Sequence, residues 1–206
     1  MAQKPPSEHR PFFGTVFYDS CRCSLPARSL SARREAGSWQ EHPKENMTNS
    51  KERFNNKMRE LLRDPRVRRM QAYRQHRYCN SLIHSIHVAK VSFAMAEHLH
   101  LKIDEEALAV GALLHDYYLY DIKGSGYSAF RHGTSHPQVS LENAMRDFPL
   151  TEKEQNMIRS HMWPLTLFHA PKSKEAWIVT MADKYCAIKE YSGRGKAYEQ
   201  RKNGRE

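Results

Sequence analysis

Apolar positions fall into helical stripes through the middle of the chain and into none at its two ends. In residues 51–62, Phe54, Met58, Leu61 and Leu62 recur at three- and four-residue steps, which predicts an amphipathic helix that Pro65 interrupts. A second helix is expected to follow, to about His76. Over 80–99 the stripe Leu82, Ile86, Ala89, Phe93 and Ala96 predicts a long helix with one buried face, and His84 lies beside it. Asp104 is placed to cap a helix rich in Ala and Leu that runs through Leu114 and ends on His115 and Asp116. A loop holding Gly124, Gly126 and Gly133 follows, up to Pro137. Further helices are expected over 137–146, 151–161 and 173–191, the second with Glu154 completing a capping box on Thr151. No alternating β pattern and no internal repeat is visible, so the expected class is an all-α helical bundle.

Length and composition bound this picture. A chain of 206 residues suits one domain with a sizeable core. Residues 1–46 lack periodicity apart from the aromatic Phe12, Phe13, Phe17 and Tyr18, and are expected to form an extension outside the fold. Met47 is followed by Thr48, Asn49 and Ser50, which carry N-cap chemistry, so the compact domain is placed at 47–192 and a flexible basic tail at 193–206. No apolar run reaches the roughly 18 residues a membrane span needs, and charges and prolines stand where a signal peptide has its apolar core, so no membrane partner and a cytoplasmic location are expected. The four cysteines, Cys21, Cys23, Cys79 and Cys186, form no CxxC pairs and are read as reduced thiols. The net charge of +10 is concentrated in residues 51–77, with ten Lys and Arg against three Asp and Glu. Such a stretch can attract nucleic acid, but a solvated helix face is the commoner cause and the preferred reading.

Twelve histidines are many for this length, and several stand at the borders of expected helices, which directs attention to metal chemistry. The informative order is His84, the doublet His115 and Asp116, His136, His161 and Asp183. Imidazoles and carboxylates together hold borderline divalent metals. Two adjacent ligands can share one site at a helix terminus, whereas mid-helix neighbours diverge by about 100°.

The run Ala-Leu-Leu-His115-Asp116, with His84 in His-Ser-Ile-His-Val-Ala upstream and Asp183 in Met-Ala-Asp-Lys downstream, resembles the motifs of the HD-domain superfamily of metal-dependent phosphohydrolases. The resemblance implies an HD-domain helical bundle with a metal site in its core. His136 and His161 match the further ligands of binuclear members, which implies two ions (Mn, Fe, Ni, Co or Mg), with Asp116 as the bridging, catalytic ligand. The pattern departs at Tyr117 to Tyr120, where many members have Gly and Lys, so the phosphate-binding lysine has no direct counterpart and Lys123 or Lys184 is considered in its place.

The implied partner is a small phosphorylated substrate, cut by a metal-activated hydroxide between two cations about 3.5 to 4 Å apart. His132 is the candidate proton donor to the leaving group. Asp121 is considered for orienting a ligand imidazole, and Arg77 and Arg131 for binding phosphate. His87, three residues from His84 on the same helix, competes for the first ligand position, and the family register favours His84. Two other classes share this fold: a di-iron oxygenase, and a non-catalytic nucleotide or RNA binder.

Overall fold

The structure is a computed structural model and describes residues 43–76, 79–121, 126 and 128–191, without the side chains of 43–48, 76 and 191. Residues 1–42 and the tail 193–206 lie outside the described residues, and so do Cys21, Cys23, Arg77 and Lys123. The fold is all-α, with seven helices among the described residues and one two-stranded hairpin.

Helix α1 (Pro43–Arg63) buries Phe54, Met58 and Leu61 and turns its charged residues to water. It starts earlier than its apolar stripe, with proline in the first turn, where a missing amide hydrogen costs nothing. Asp64 then caps the single turn α2 (Pro65–Arg68), its carboxylate accepting from the Arg66 amide at 2.8 Å. The second helix expected to reach His76 stops here. Only Val67 and Met70 are buried in this stretch, too few apolar positions to sustain a packed helix. A 3-10 turn over Arg69–Ala72 leads into β1 (Arg74–His76), which pairs antiparallel with β2 (Cys79–Asn80). Strands this short leave no alternation for sequence reading to detect.

Asn80 caps α3 (Ser81–His98) by accepting from the Ile83 amide, and Asp104 caps α4 (Glu105–Leu114) by accepting from Ala107. Every residue from Ala107 to Leu114 is buried, because α4 is the central helix, packed on α1, α3, α6 and α7. At Gly111 a Cβ atom would lie 2.9 Å from Met157 Cβ, so only glycine lets α4 and α6 approach this closely.

Helix α5 (Ala129–Asp147) begins well before Pro137, where sequence reading started it. Pro137 offers no amide hydrogen to the Gly133 carbonyl, yet the helix runs through. Side chains bind the turn ahead of it: Thr134, Ser135 and His136 donate to the carbonyls of Phe130, Arg131 and His132 at 3.0, 2.6 and 2.9 Å. Helix α6 (Glu152–Ser160) opens on the expected capping box of Thr151 and Glu154, and α7 (Lys174–Tyr191) packs along α3.

The basic stretch lies on this frame, and four of its cations are engaged with carboxylates of the same domain. Arg53 pairs with Glu105 at 2.9 Å, Lys57 with Glu60 at 3.0 Å, Arg66 with Asp64 at 2.6 Å, and Arg69 with Asp147. Among the described residues no helix is long and apolar enough to cross a membrane.

Candidate metal centre

Five elements each bring part of one buried cluster. His84 stands on α3, His136 on α5 and Asp183 on α7, all facing inward. His115 and His161 are the residues at which α4 and α6 end. Asp116, next to His115 at the end of α4, enters the same site as its neighbour. All six residues are buried, and none is more than 8% exposed.

The two oxygens of Asp116 face different companions. Near Oδ2 lie His115 Nε2 at 3.2 Å and His84 Nε2 at 3.7 Å, and Asp183 Oδ1 lies 3.0 Å from His84 Nε2 and 3.7 Å from His115 Nε2. Near Oδ1 lie His136 Nε2 at 3.1 Å and His161 Nε2 at 3.6 Å. Those last two nitrogens are 2.8 Å from each other. One carboxylate thus spans two groups of ligand atoms.

Three of the imidazoles are held in the ligand tautomer by main chain. His115 Nδ1 meets the Ala112 carbonyl at 2.8 Å, His136 Nδ1 the His132 carbonyl at 2.9 Å, and His161 Nδ1 the Ile158 carbonyl at 2.8 Å. A carbonyl can only accept, so each Nδ1 carries a proton and each ring turns its Nε2 into the cluster. His136 Nε2 and His161 Nε2 meet each other there at hydrogen-bond distance. His115 Nε2 and Asp116 Oδ1 are fully buried with no hydrogen-bond partner among the described residues. Orphaned buried donors and acceptors are rare in folded proteins, and here they converge. Nitrogen and carboxylate oxygen donors gathered in this way fit a borderline divalent metal.

Electrostatics point the same way. Burial opposes charge on both aspartates, yet His115 and His136 hold the Asp116 carboxyl well below its usual range, and His115 and His84 do the same for Asp183. Burial would likewise lower His84, but the Asp183 and Glu190 carboxylates prevail and lift it to about 9. The carboxylate side is a place that favours positive charge. His161 is different: burial and the neighbouring His136 and His115 push it down to about 3, so it stays a neutral donor.

Around the cluster lies a layer that sequence reading missed. Glu190 accepts from His84 Nδ1 at 3.1 Å and from the Cys79 thiol at 3.2 Å. The orienting role considered for Asp121 belongs to Glu190 at His84 and to backbone carbonyls at the other three rings. The signal for Glu190 was present, since it stands seven residues after Asp183 on α7 and therefore on the same face. Gln75 carried no such signal, because it comes from β1; it donates to Asp116 Oδ2, while its own oxygen accepts from Tyr118. Ser81 in turn donates to the Tyr118 hydroxyl at 2.9 Å. His87 stays outside, half exposed and 3.7 Å from Glu190, so His84 alone of the two enters the cluster.

The tyrosines where many family members have Gly and Lys therefore form a scaffold. The backbone is left-handed at Leu119 (φ 55°), an unusual conformation for leucine. Tyr118 on one side of it supports Gln75, and the hydroxyl of Tyr120 on the other lies 2.8 Å from His132 Nδ1. The His132 ring stacks on His136 with centroids 4.6 Å apart.

A cavity of about 670 Å³ opens over the cluster, with Asp116, His136, His161 and Asp183 in its wall. His132 and Lys184 line it as well. Lys184 donates to the carbonyls of His161 at 3.1 Å and Thr180 at 3.4 Å, and burial pushes its ammonium below the usual lysine value. Arg131 is exposed on α5, and His98 and His100 stand on the surface.

A family model described as HD domain matches residues 81–188, more than half of the chain. No curated protein and no solved structure matches it.

Proposed function

We propose, from the premise that the chain belongs to the HD-domain family, that it is a phosphohydrolase cleaving a phosphate ester of a nucleotide or small metabolite with two divalent metal ions. The observation that carries this reading is Asp116, whose two oxygens face separate sets of imidazole and carboxylate donors. His84, His115 and Asp183 would hold one ion with Asp116, and His136 and His161 the other. Bound there, divalent ions supply Lewis acidity to a phosphoryl group and lower the pKa of water.

The chain's own residues do the rest. Asp116, fixed by Gln75, keeps both donor sets in register. His132, with Nδ1 engaged by Tyr120, presents its other nitrogen as the proton donor to the leaving oxygen. Lys184, at the cavity wall, offers its ammonium to a phosphoryl oxygen in place of the lysine missing after the doublet. Buried walls exclude bulk water and strengthen each of these interactions.

The test is elemental analysis of anaerobically purified protein, followed by a panel of phosphomonoesters and phosphodiesters on samples loaded with Mn, Fe, Ni, Co or Mg. The expected result is about two ions per chain and, in labelled water, incorporation of the label into the released phosphate. One ion per chain at saturation removes the binuclear reading. Turnover that needs oxygen and releases no phosphate moves the protein to the oxygenase class.

A further inference from the structure

The cavity is lined by two unlike kinds of residue: the imidazoles and carboxylates of the cluster, and the apolar Ala129, Met162, Pro164, Leu165 and Ala187. Two of the apolar side chains converge on α5: a Cβ on Gly133 would meet Leu165 Cδ2 at 3.0 Å and Met162 Cε at 3.6 Å.

The polar side chains that line the cavity outside the cluster already have partners. Gln75 is engaged with Asp116 and Tyr118, Lys184 with the carbonyls of His161 and Thr180, and His132 Nδ1 with Tyr120. Apart from Gln75 and from His132 and Lys184, assigned above to the leaving oxygen and the phosphoryl group, the described lining residues outside the cluster carry no hydrogen-bonding side chain to read the hydroxyls of a sugar. The two segments that build this wall also hold apolar side chains in water. Phe130 is 71% exposed, Leu167 69% and Phe168 96%.

We propose that the substrate is amphiphilic: a phosphate ester whose head meets the ligand cluster and whose body is an alkyl or similarly hydroxyl-free apolar group resting on Met162, Pro164 and Leu165. This rests on the phosphohydrolase reading and narrows it, by disfavouring sugar phosphates. A hydroxyl pressed on that wall leaves its hydrogen bonds unmade, at about tenfold in affinity each. A methylene there gains about fourfold.

The test is oxygen-free calorimetric titration of the manganese-loaded full chain with inorganic phosphate, methyl-, propyl- and pentylphosphonate, and 2,3-dihydroxypropylphosphonate. Affinity should rise by about fourfold per methylene along the alkyl series, and the dihydroxypropyl compound should fall to the methyl level or below. Leu165→Ser, at a position 44% exposed and so tolerant of change, should flatten the series. A flat series in the unaltered protein, or equal binding of the propyl and dihydroxypropyl compounds, overturns the amphiphile while leaving phosphate recognition intact. Failure of inorganic phosphate and every phosphonate to bind overturns the phosphate reading of the site, and the amphiphile falls with it.

Discussion

The two halves of the candidate metal centre are built from different materials. The half formed by His84, His115 and Asp183 has its own carboxylate besides Asp116, and a third, Glu190, stands behind His84. The half formed by His136 and His161 is two imidazole rings that share one oxygen of Asp116. Charge is therefore concentrated on one side. The anchoring differs too: both rings of the second half are tied to backbone carbonyls of their own helices, whereas in the first only His115 is, and His84 depends on a side chain from another helix. On the proposed reading, the first half binds its ion through charge and the second through preorganised geometry. A cation in the second half gains less Coulomb energy and should leave first.

The largest effect is expected at the residue the halves share. Asp116→Ala should take metal content from about two ions per chain toward none and abolish turnover. Retention of one tightly held ion would show that Asp183 and the imidazoles suffice without it. Next come the halves themselves: His136→Ala or His161→Ala should leave about one ion per chain, whereas His84→Ala or Asp183→Ala should lose the tighter ion and all activity. Equal losses from both pairs of variants, measured by elemental analysis after dialysis, would erase the asymmetry.

Glu190→Gln sharpens the difference in anchoring, since it keeps the shape and removes the charge behind His84. Metal affinity should fall about 10- to 100-fold, with the second ion affected less; calorimetry showing no change would make Glu190 a bystander. The smallest effect concerns the frame that holds the halves in register. Gly111→Ala pushes a methyl toward Met157 between α4 and α6, the helices that end on His115 and His161. It should cost about 1–3 kcal/mol, seen as a lower Tm with metal content retained. An unchanged Tm would show that this contact has slack.

Much of this was open to reading in the chain itself, and the limits have physical causes. Helices α3, α4, α6 and α7 were legible because long apolar stripes and the caps Asp104 and Thr151 are local signals, written within a few residues. The ligand-type residues were legible because the doublet at the end of α4 and the flanking His84 and Asp183 follow a family order. The β1/β2 hairpin was not, since two strands of three and two residues have no pattern and owe their position to what packs around them. Nor was the early start of α5, where Pro137 reads locally as a beginning while the helix runs through it from Ala129.

The sequence by itself determined the helical class, the principal caps and the residue types able to hold a metal, because each depends on neighbours within a turn or two. Only the tertiary structure decided that Gln75 supports Asp116, that Glu190 rather than Asp121 stands behind His84, and that His132 meets Tyr120. It also decided which ring faces which carboxylate oxygen. These are through-space pairings between elements tens of residues apart, and they come from packing five elements around one point, which no local periodicity encodes.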